Sequence, residues 1–398
     1  MSFRTLPELD ATGLRVFLRA DLNVPLKDGV ITDPTRIRET LPTLKHLLDQ
    51  GASVVLASHL GRPKGEGFEA AYSLAPVAEW LKGQGFDVRL ASGTIGTSVE
   101  AEAAALKPGQ VLLLENLRFD KGETKNKPEF ADALAKLAQA YVNDAFGAAH
   151  RAHASVSGMV SHFPKDKVAA GFLMAKELKA LGKIMHEPQK PLIAVMGGAK
   201  VSDKIELIKH FLGKADAILI GGAMSYTLLK SQGHTIGKSL CEEDKVEMAG
   251  ELIKEAKAKG TRLLLPLDHV IAAEFNADSD CALTQDEDIP DGQMALDIGP
   301  ETVALYAAEI MQARTILWNG PMGVFEMDPF ASGTLTVAET LAEASDKGAF
   351  VLVGGGDSVA AAHMAGVTDR MNHVSTGGGA SLEFLSGLEL PGVAALEN

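Results

Sequence analysis

The sequence predicts an α/β protein of two similar-sized lobes, each a parallel sheet with helices on both faces, joined by a helix. Three observations predict it. Short apolar runs alternate with longer amphipathic runs along the chain, the pattern of repeated strand–helix units. Runs such as Val111–Leu114 and Phe350–Val353 are apolar without interruption, as strands covered on both faces are. The 398 residues exceed one ordinary core, which makes two domains the natural division.

The elements follow in order. Strands are expected at Arg15–Arg19, Ser53–Ala57, Val111–Leu114 and Tyr141–Asn143, then at Leu192–Met196, Ala217–Ile220, Arg262–Leu265, Thr315–Trp318 and Phe350–Val353. Amphipathic spacing places helices at Pro34–Asp49, Pro128–Gln139, Asp244–Lys259 and Glu301–Met311. A long helical pattern from Ala170 to Met185 lies between two turn-like stretches, Phe163–Lys167 and Glu187–Pro191. It suits a connector between lobes. The expected divisions are 1–170, 171–374 beginning with the connecting helix, and a carboxyl-terminal segment 375–398.

The formal net charge of −14 disfavours nucleic acid and anionic membrane surfaces as main partners. Cys241 and Cys281 have no metal-binding spacing and are expected to be reduced and interior. The polar start Met1–Asp10 lacks an apolar signal core, and no apolar stretch approaches membrane-spanning length, so the cytoplasm is the expected compartment. The arginines are unevenly spread: nine of the twelve lie between Arg4 and Arg151. A planar guanidinium suits carboxylates and phosphates held bidentately. The first lobe is therefore the natural place for an anion, although drift in composition would give the same asymmetry.

Ligands of parallel α/β folds sit beyond the carboxyl ends of the strands, so the residues just after each strand matter most. In the first lobe these segments are Asp21-Leu22-Asn23, Ser58–Pro63 with His59 and Arg62, Glu115–Phe119 with Arg118, and Asn143–His153 with Arg151; Arg36 stands near a helix start. Asp21 and Asn23 suit substrate hydroxyls or an Asx turn. Arginines gathered at strand ends repel one another unless an anion completes the cluster. The bland alternative is a set of surface salt bridges.

In the second lobe the strand ends carry glycines: Gly197-Gly198-Ala199-Lys200, Gly221-Gly222-Ala223, Asn319-Gly320, Gly354-Gly355-Gly356-Asp357-Ser358, and Gly377-Gly378-Gly379 further on. Glycines admit close approach and expose N–H groups to anionic oxygens. Lys200 and Lys204 are four apart, so a helix there gives them a common face. The same run also reads as a plain helix entry with two solvated lysines, and it does not fit G-x-x-x-x-G-K-[ST]. Asp357 suits an N-cap or Mg²⁺. Glu326 suits ribose hydroxyls or solvent.

Together, Arg19–Pro25, Ser58–Pro63, Glu115–Phe119, Asp144–Ser155, Gly197–Lys204, Asp297–Pro300, Trp318–Glu326, Gly354–Asp357 and Ser375–Glu383 closely resemble the phosphoglycerate kinase family over nearly the whole chain. The resemblance implies a monomeric two-lobed kinase with a hinge, transferring a phosphoryl group between 1,3-bisphosphoglycerate and ADP to give 3-phosphoglycerate and ATP. It implies contacts of Asp21, Asn23, Arg36, His59, Arg62, Arg118 and Arg151 with the acid substrate. It assigns Gly198, Ala199, Lys204, Gly222, Asn319, Glu326, Gly355, Gly356, Asp357 and Ser358 to the nucleotide, with Mg²⁺ at Asp357. Arg36, Lys200 and Lys204, assisted by amides near Gly355 and Gly378, would stabilise the transition state. The segment after Thr376 is expected to return to the first lobe. Two departures are small: Ser358 stands where the family commonly has Thr, and Ala223 replaces a common third glycine.

Two rival readings meet obstacles. A dehydrogenase would share the Rossmann-like lobes, but Ala20-Asp21-Leu22-Asn23 follows the first strand in place of G-x-G-x-x-G. A two-lobed binding protein would not need lysines and an Mg²⁺ carboxylate in one lobe and an arginine cluster in the other.

Overall fold

A computed structural model describes residues 3–397; Met1, Ser2 and Asn398, at the ends of the expected first and last segments, lie outside them. The chain divides into two compact units, Met1–Lys179 with Glu389–Asn398, and Ala180–Leu388. The first boundary runs inside the helix Phe172–His186, rather than at 170/171. The second differs as well. Residues 375–388 stay with the second unit, where Gly387 packs closely on His210. Only the last residues join the first unit, where the Gly392 N–H donates to the Ala149 carbonyl at 2.8 Å.

The first unit holds a six-stranded parallel sheet built from β1 (Arg15–Ala20), β2 (Ser53–Ala57), β3 (Asp87–Leu90), β4 (Gln110–Leu113), β5 (Ala140–Asp144) and β6 (Val168–Ala170). Its spatial order is β3-β4-β2-β1-β5-β6. Alternate residues Val16, Leu18, Val54, Leu56, Val111, Leu113 and Val142 share one core with Leu44 and Leu47 of the helix Thr35–Asp49. Their neighbours Phe17, Val55, Leu112 and Tyr141 are buried too. Both faces are covered, which is why these strands read as continuous apolar runs.

The second unit repeats the plan with β7 (Leu192–Met196), β8 (Ala217–Ile220), β9 (Arg262–Leu264), β10 (Thr315–Asn319), β11 (Phe350–Val353) and β12 (His373–Val374). The order is β9-β8-β7-β10-β11-β12, all parallel. Ile193, Val195, Ile316, Trp318, Val351 and Val353 form its core with Ile310 and Leu341 from covering helices. The strand order switches direction at β1/β5 in the first unit and at β7/β10 in the second. Such switch points open a crevice at the carboxyl edge of the sheet.

The expected strands and helices match to within a few residues. A small antiparallel sheet, His269–Ala272 between Cys281–Leu283 and Met294–Ile298, departs from the all-parallel plan. Cys281 lies on its edge and is exposed, contrary to the interior position expected; Cys241 is half-buried, and both are free thiols.

Candidate active site

In the first unit, the loops after β2, β4 and β5 bring arginines together. Arg62, Arg118 and Arg151, with Lys64 and Lys121, line a cavity of about 350 Å³ whose lining contains no carboxylate. Arg118 is held by the loop after β2: its Nη1 donates to the Gly61 carbonyl at 2.8 Å, while its buried Nε has no hydrogen-bond partner among the described residues. Burial, then Arg151 and Arg19, push its guanidinium down to about 10. Losing water beside like charges disfavours the charged form, so this group is left short of negative charge.

Asp21, Asn23, Arg36 and His59 stand outside that lining. Asp21 makes the Asx turn, accepting the Asn23 N–H at 3.2 Å, and also pairs with Arg36 at 2.6 Å. The Arg36 side chain remains 43% exposed, within reach of a ligand. Asn23 Oδ1 accepts the Gly61 N–H at 2.8 Å, tying the first loop to the second. His59 is buried, with Nδ1 3.1 Å from Arg19 Nη2. Arginine has no acceptor, so His59 Nδ1 accepts and the ring is neutral. Burial, Arg19 and Arg118 hold its pKa well below the usual imidazole range.

The sequence did not single out Arg19, although its signal was there: a charged residue inside a strand buried from Val16 to Ala20. Ser155 and Glu123 behind it carry no comparable signal, because Lys121-Gly122-Glu123-Thr124 reads as a solvated turn.

In the second unit, a cavity of about 510 Å³ opens at the β7/β10 switch point; Gly198, Ala199, Gly222, Glu326 and Asp357 line it, with Tyr226, Phe275 and Val324 on its apolar side. The glycines there serve two ends. A Cβ on Gly197 would lie 1.9 Å from the Pro321 carbonyl oxygen, and one on Gly222 2.6 Å from that of Gly198. These glycines let three strand-end loops pack backbone to backbone. By contrast, a Cβ on Gly356 or Gly378 would meet nothing within 4 Å. Gly355 (φ +90°) and Gly378 (φ +53°) each precede the first turn of a helix, Gly356–Met364 and Gly379–Leu385. Open space at Gly356 and Gly378 therefore coincides with helix starts, whose first N–H groups have no partner within the helix.

The helical placement of Lys200 and Lys204 does not hold. The helix begins at Ile205 with Lys204 as its cap, and the preceding loop is held instead by Ser202, whose N–H and hydroxyl donate to Glu242 at 3.0 and 2.5 Å. Lys200 is exposed on that loop. Lys204 is half-buried and donates to Asn319 Oδ1; burial lowers its pKa while Asp203 and Asp357 oppose the shift. Asn319 is buried, and its Nδ2 donates to the Gly354 carbonyl at 2.9 Å. Ser358 is buried too, its Oγ accepting the Gly320 N–H at 2.5 Å. Both polar groups brace the strand-end loops.

Asp357, in the first turn of its helix, is exposed on the cavity. No group of three or more His, Cys, Asp or Glu among the described residues could hold a metal by itself. One carboxylate on a phosphate-sized cavity fits a hard cation that takes its other ligands from phosphate oxygens and water. No helix among the described residues is long and apolar enough to cross a membrane.

The family model described as phosphoglycerate kinase matches residues 6–388. A phosphoglycerate kinase of Moorella thermoacetica is 54% identical over 397 residues, covering 100% of this chain and 99% of that one. One of Chloroflexus aurantiacus is 53% identical over 402 residues, with 100% of both chains covered. The solved phosphoglycerate kinase of Coxiella burnetii superposes with a TM-score of 0.93 at 42% identity over 99% of each chain. With the two strand-end cavities in view, these full-length matches give one conclusion: the chain belongs to the phosphoglycerate kinase family.

Proposed function

We propose that the chain carries out reversible phosphoryl transfer between 1,3-bisphosphoglycerate and ADP, giving 3-phosphoglycerate and ATP, with the acid substrate at the arginine cavity of the first unit and the nucleotide at the glycine-bordered cavity of the second. The observation that carries the reading is the first cavity: Arg62, Arg118 and Arg151 converge with two lysines and no carboxylate in the lining. Gathering like charges is costly until an anion completes them. A small, multiply anionic acid supplies that charge.

The chemistry needs no protein nucleophile. The attacking oxygen is already charged, whether a β-phosphate oxygen of ADP or, in reverse, the carboxylate of 3-phosphoglycerate. Phosphoryl transfer passes through a loose state with attacking and leaving oxygens in line, so the protein's task is alignment and charge neutralisation. In the first unit we assign Arg62, Arg118 and Arg151 to the acid's phosphate and carboxyl oxygens, with Asp21, Asn23 and His59 ordering the loops around them. Arg36, paired with Asp21 yet part-exposed, can turn to the moving group. In the second unit Lys204 would leave Asn319 for a phosphate oxygen, Lys200 would follow from its exposed loop, and the amides at Gly355, Gly356 and Gly378 would receive non-bridging oxygens. Gly198, Ala199 and Gly222 border the nucleotide, and Glu326 is free for ribose hydroxyls. Asn319 and Ser358 act by holding the loops. Asp357 would hold Mg²⁺, which would neutralise the nucleotide phosphates when bound. Bringing the two substrates into line and excluding water from the acyl phosphate is a step we assign to movement of the units.

The test is direct. Purified protein with ATP, Mg²⁺ and 3-phosphoglycerate should produce 1,3-bisphosphoglycerate, detected through NADH consumption by a coupling dehydrogenase. No signal with a demonstrably active coupling enzyme would reject the reading.

A further inference from the structure

Behind the arginine cavity lies a fully buried carboxylate that the proposed chemistry does not use. Glu123 is 0% exposed and spends both oxygens on one residue: Ser155 Oγ donates to Oε1 at 2.6 Å, and the Ser155 N–H donates to Oε2 at 2.9 Å. The same Ser155 Oγ accepts from Arg19 Nε at 2.8 Å, and Arg19 is itself 0% exposed. Arg19 reaches on to His59 Nδ1 at 3.1 Å, and His153 Nδ1 lies 3.8 Å from Glu123 Oε1. Ser155 sits in the π-helical turn Ala154–Gly158, anchored by the Tyr141 hydroxyl, which donates to its carbonyl at 2.9 Å.

The bidentate grip has a chemical consequence. A carboxylate only accepts, so the Ser155 hydroxyl hydrogen must point at Glu123, leaving an oxygen lone pair for Arg19. An amide in place of the carboxylate would present a donor to one of the two serine groups and contest that lone pair. Glu123 is also the negative charge opposing the cations: Arg151, Arg19 and Arg62 all lower the Arg118 pKa, and Glu123 raises it.

We propose that Glu123 is a positioning residue of the acid-substrate site, holding Arg19 in place through Ser155 while its charge offsets the cations gathered there. This rests on the reading of the arginine cavity given above. A merely structural carboxylate would, on removal, weaken every ligand or unfold the unit. A positioning counter-ion instead splits the response by ligand.

The experiment compares the whole enzyme with its Glu123→Gln and Ser155→Ala variants, reading steady-state KM and kcat for both substrates and inhibition by inorganic sulfate. Both variants should raise KM for 3-phosphoglycerate while leaving KM for ATP within about twofold. Glu123→Gln alone should tighten sulfate inhibition severalfold, because a negative charge facing the gathered cations is removed; Ser155→Ala, which keeps the charge, should not. Unchanged or weakened sulfate inhibition in Glu123→Gln, or an unchanged 3-phosphoglycerate KM in Ser155→Ala, would overturn the proposal. Should Glu123→Gln fail to fold, Glu123→Asp keeps the charge with a shorter reach. It should raise the 3-phosphoglycerate KM without changing sulfate inhibition, and an unchanged KM overturns the proposal equally. Failure of the unaltered enzyme to use 3-phosphoglycerate would strike the assignment of the cavity itself.

Discussion

Arg36 and Lys204 present a cation in two different ways. Arg36 shares one 2.6 Å ion pair with Asp21 and keeps much of its surface in water. Lys204 is half-buried against Asn319, and burial lowers its pKa. Different losses follow on removal. Arg36→Ala should lower kcat by about 10²-fold or more, the scale on which single transition-state donors act, while calorimetric ADP affinity stays within about twofold. Lys204→Ala should weaken nucleotide binding and lower kcat together, because in the role proposed for it the same cation would serve ground and transition states. Near-normal turnover in Arg36→Ala would remove it from the transition state. At this scale the sequence was legible where chemistry is local: Arg62, Arg118 and Arg151 follow buried strands, and that placement is enough to mark them. It was not legible at Glu123, whose burial depends on the turn Ala154–Gly158 far along the chain. Nor was it legible at Lys200, where Glu242 binds Ser202 of the loop and the helix starts late.

Strand-end loops and helix starts carry the next level. The glycine clusters looked alike in sequence, yet they divide by what a side chain would meet. At Gly320, with φ +108°, a Cβ would lie 2.1 Å from the Gly197 carbonyl oxygen; at Gly378 the space is open and only the backbone conformation resists. Gly320→Ala should therefore cost about 3 kcal/mol or more, and Gly378→Ala, strained only in its backbone, about 2 kcal/mol, measured by denaturant unfolding. Equal losses would contradict this division. A second element-level device is Asp297, buried at the end of its strand. It accepts the Gly333 N–H at 2.7 Å and the Ile298 N–H at 2.9 Å, joining the strand to the helix Ser332–Asp346. Burial outweighs those bonds and raises its pKa to about 7. A raised carboxyl pKa means the folded state binds the proton more tightly than the unfolded one. This group's contribution is therefore full below about pH 4 and is lost as pH rises towards 7. Asp297→Asn should flatten that part of the pH dependence of Tm; an unchanged slope between pH 4.5 and 7.5 would show that the group titrates normally. Propensity could not expose this pairing, because the two segments meet only in the folded sheet.

For the molecule as a whole, the contrast between an arginine-rich and a glycine-rich part was visible in composition. Nine of twelve arginines precede residue 152, and the glycine clusters follow residue 196. The structure gives each unit its own parallel sheet and its own cavity at the carboxyl edge. The alternation of apolar and amphipathic runs was enough to read both sheets. It missed β3, β6 and β12, which are two to four residues long and carry too little pattern. It also missed the antiparallel sheet around His269–Ala272, whose strands lie among turn-rich, acidic segments.

An overall charge of −14 leaves room for a cationic cavity, because Arg62, Arg118 and Arg151 gather where strands end. In the mechanism proposed for the two cavities, the phosphoryl group passes directly between substrates, with no covalent stop on the protein. The stereochemical course of transfer tests this most directly. ATP made chiral at its γ-phosphorus with oxygen isotopes is reacted with 3-phosphoglycerate, and the configuration of the transferred group is determined. Direct transfer gives inversion; retention would require two displacements through a phosphorylated enzyme and would rule direct transfer out.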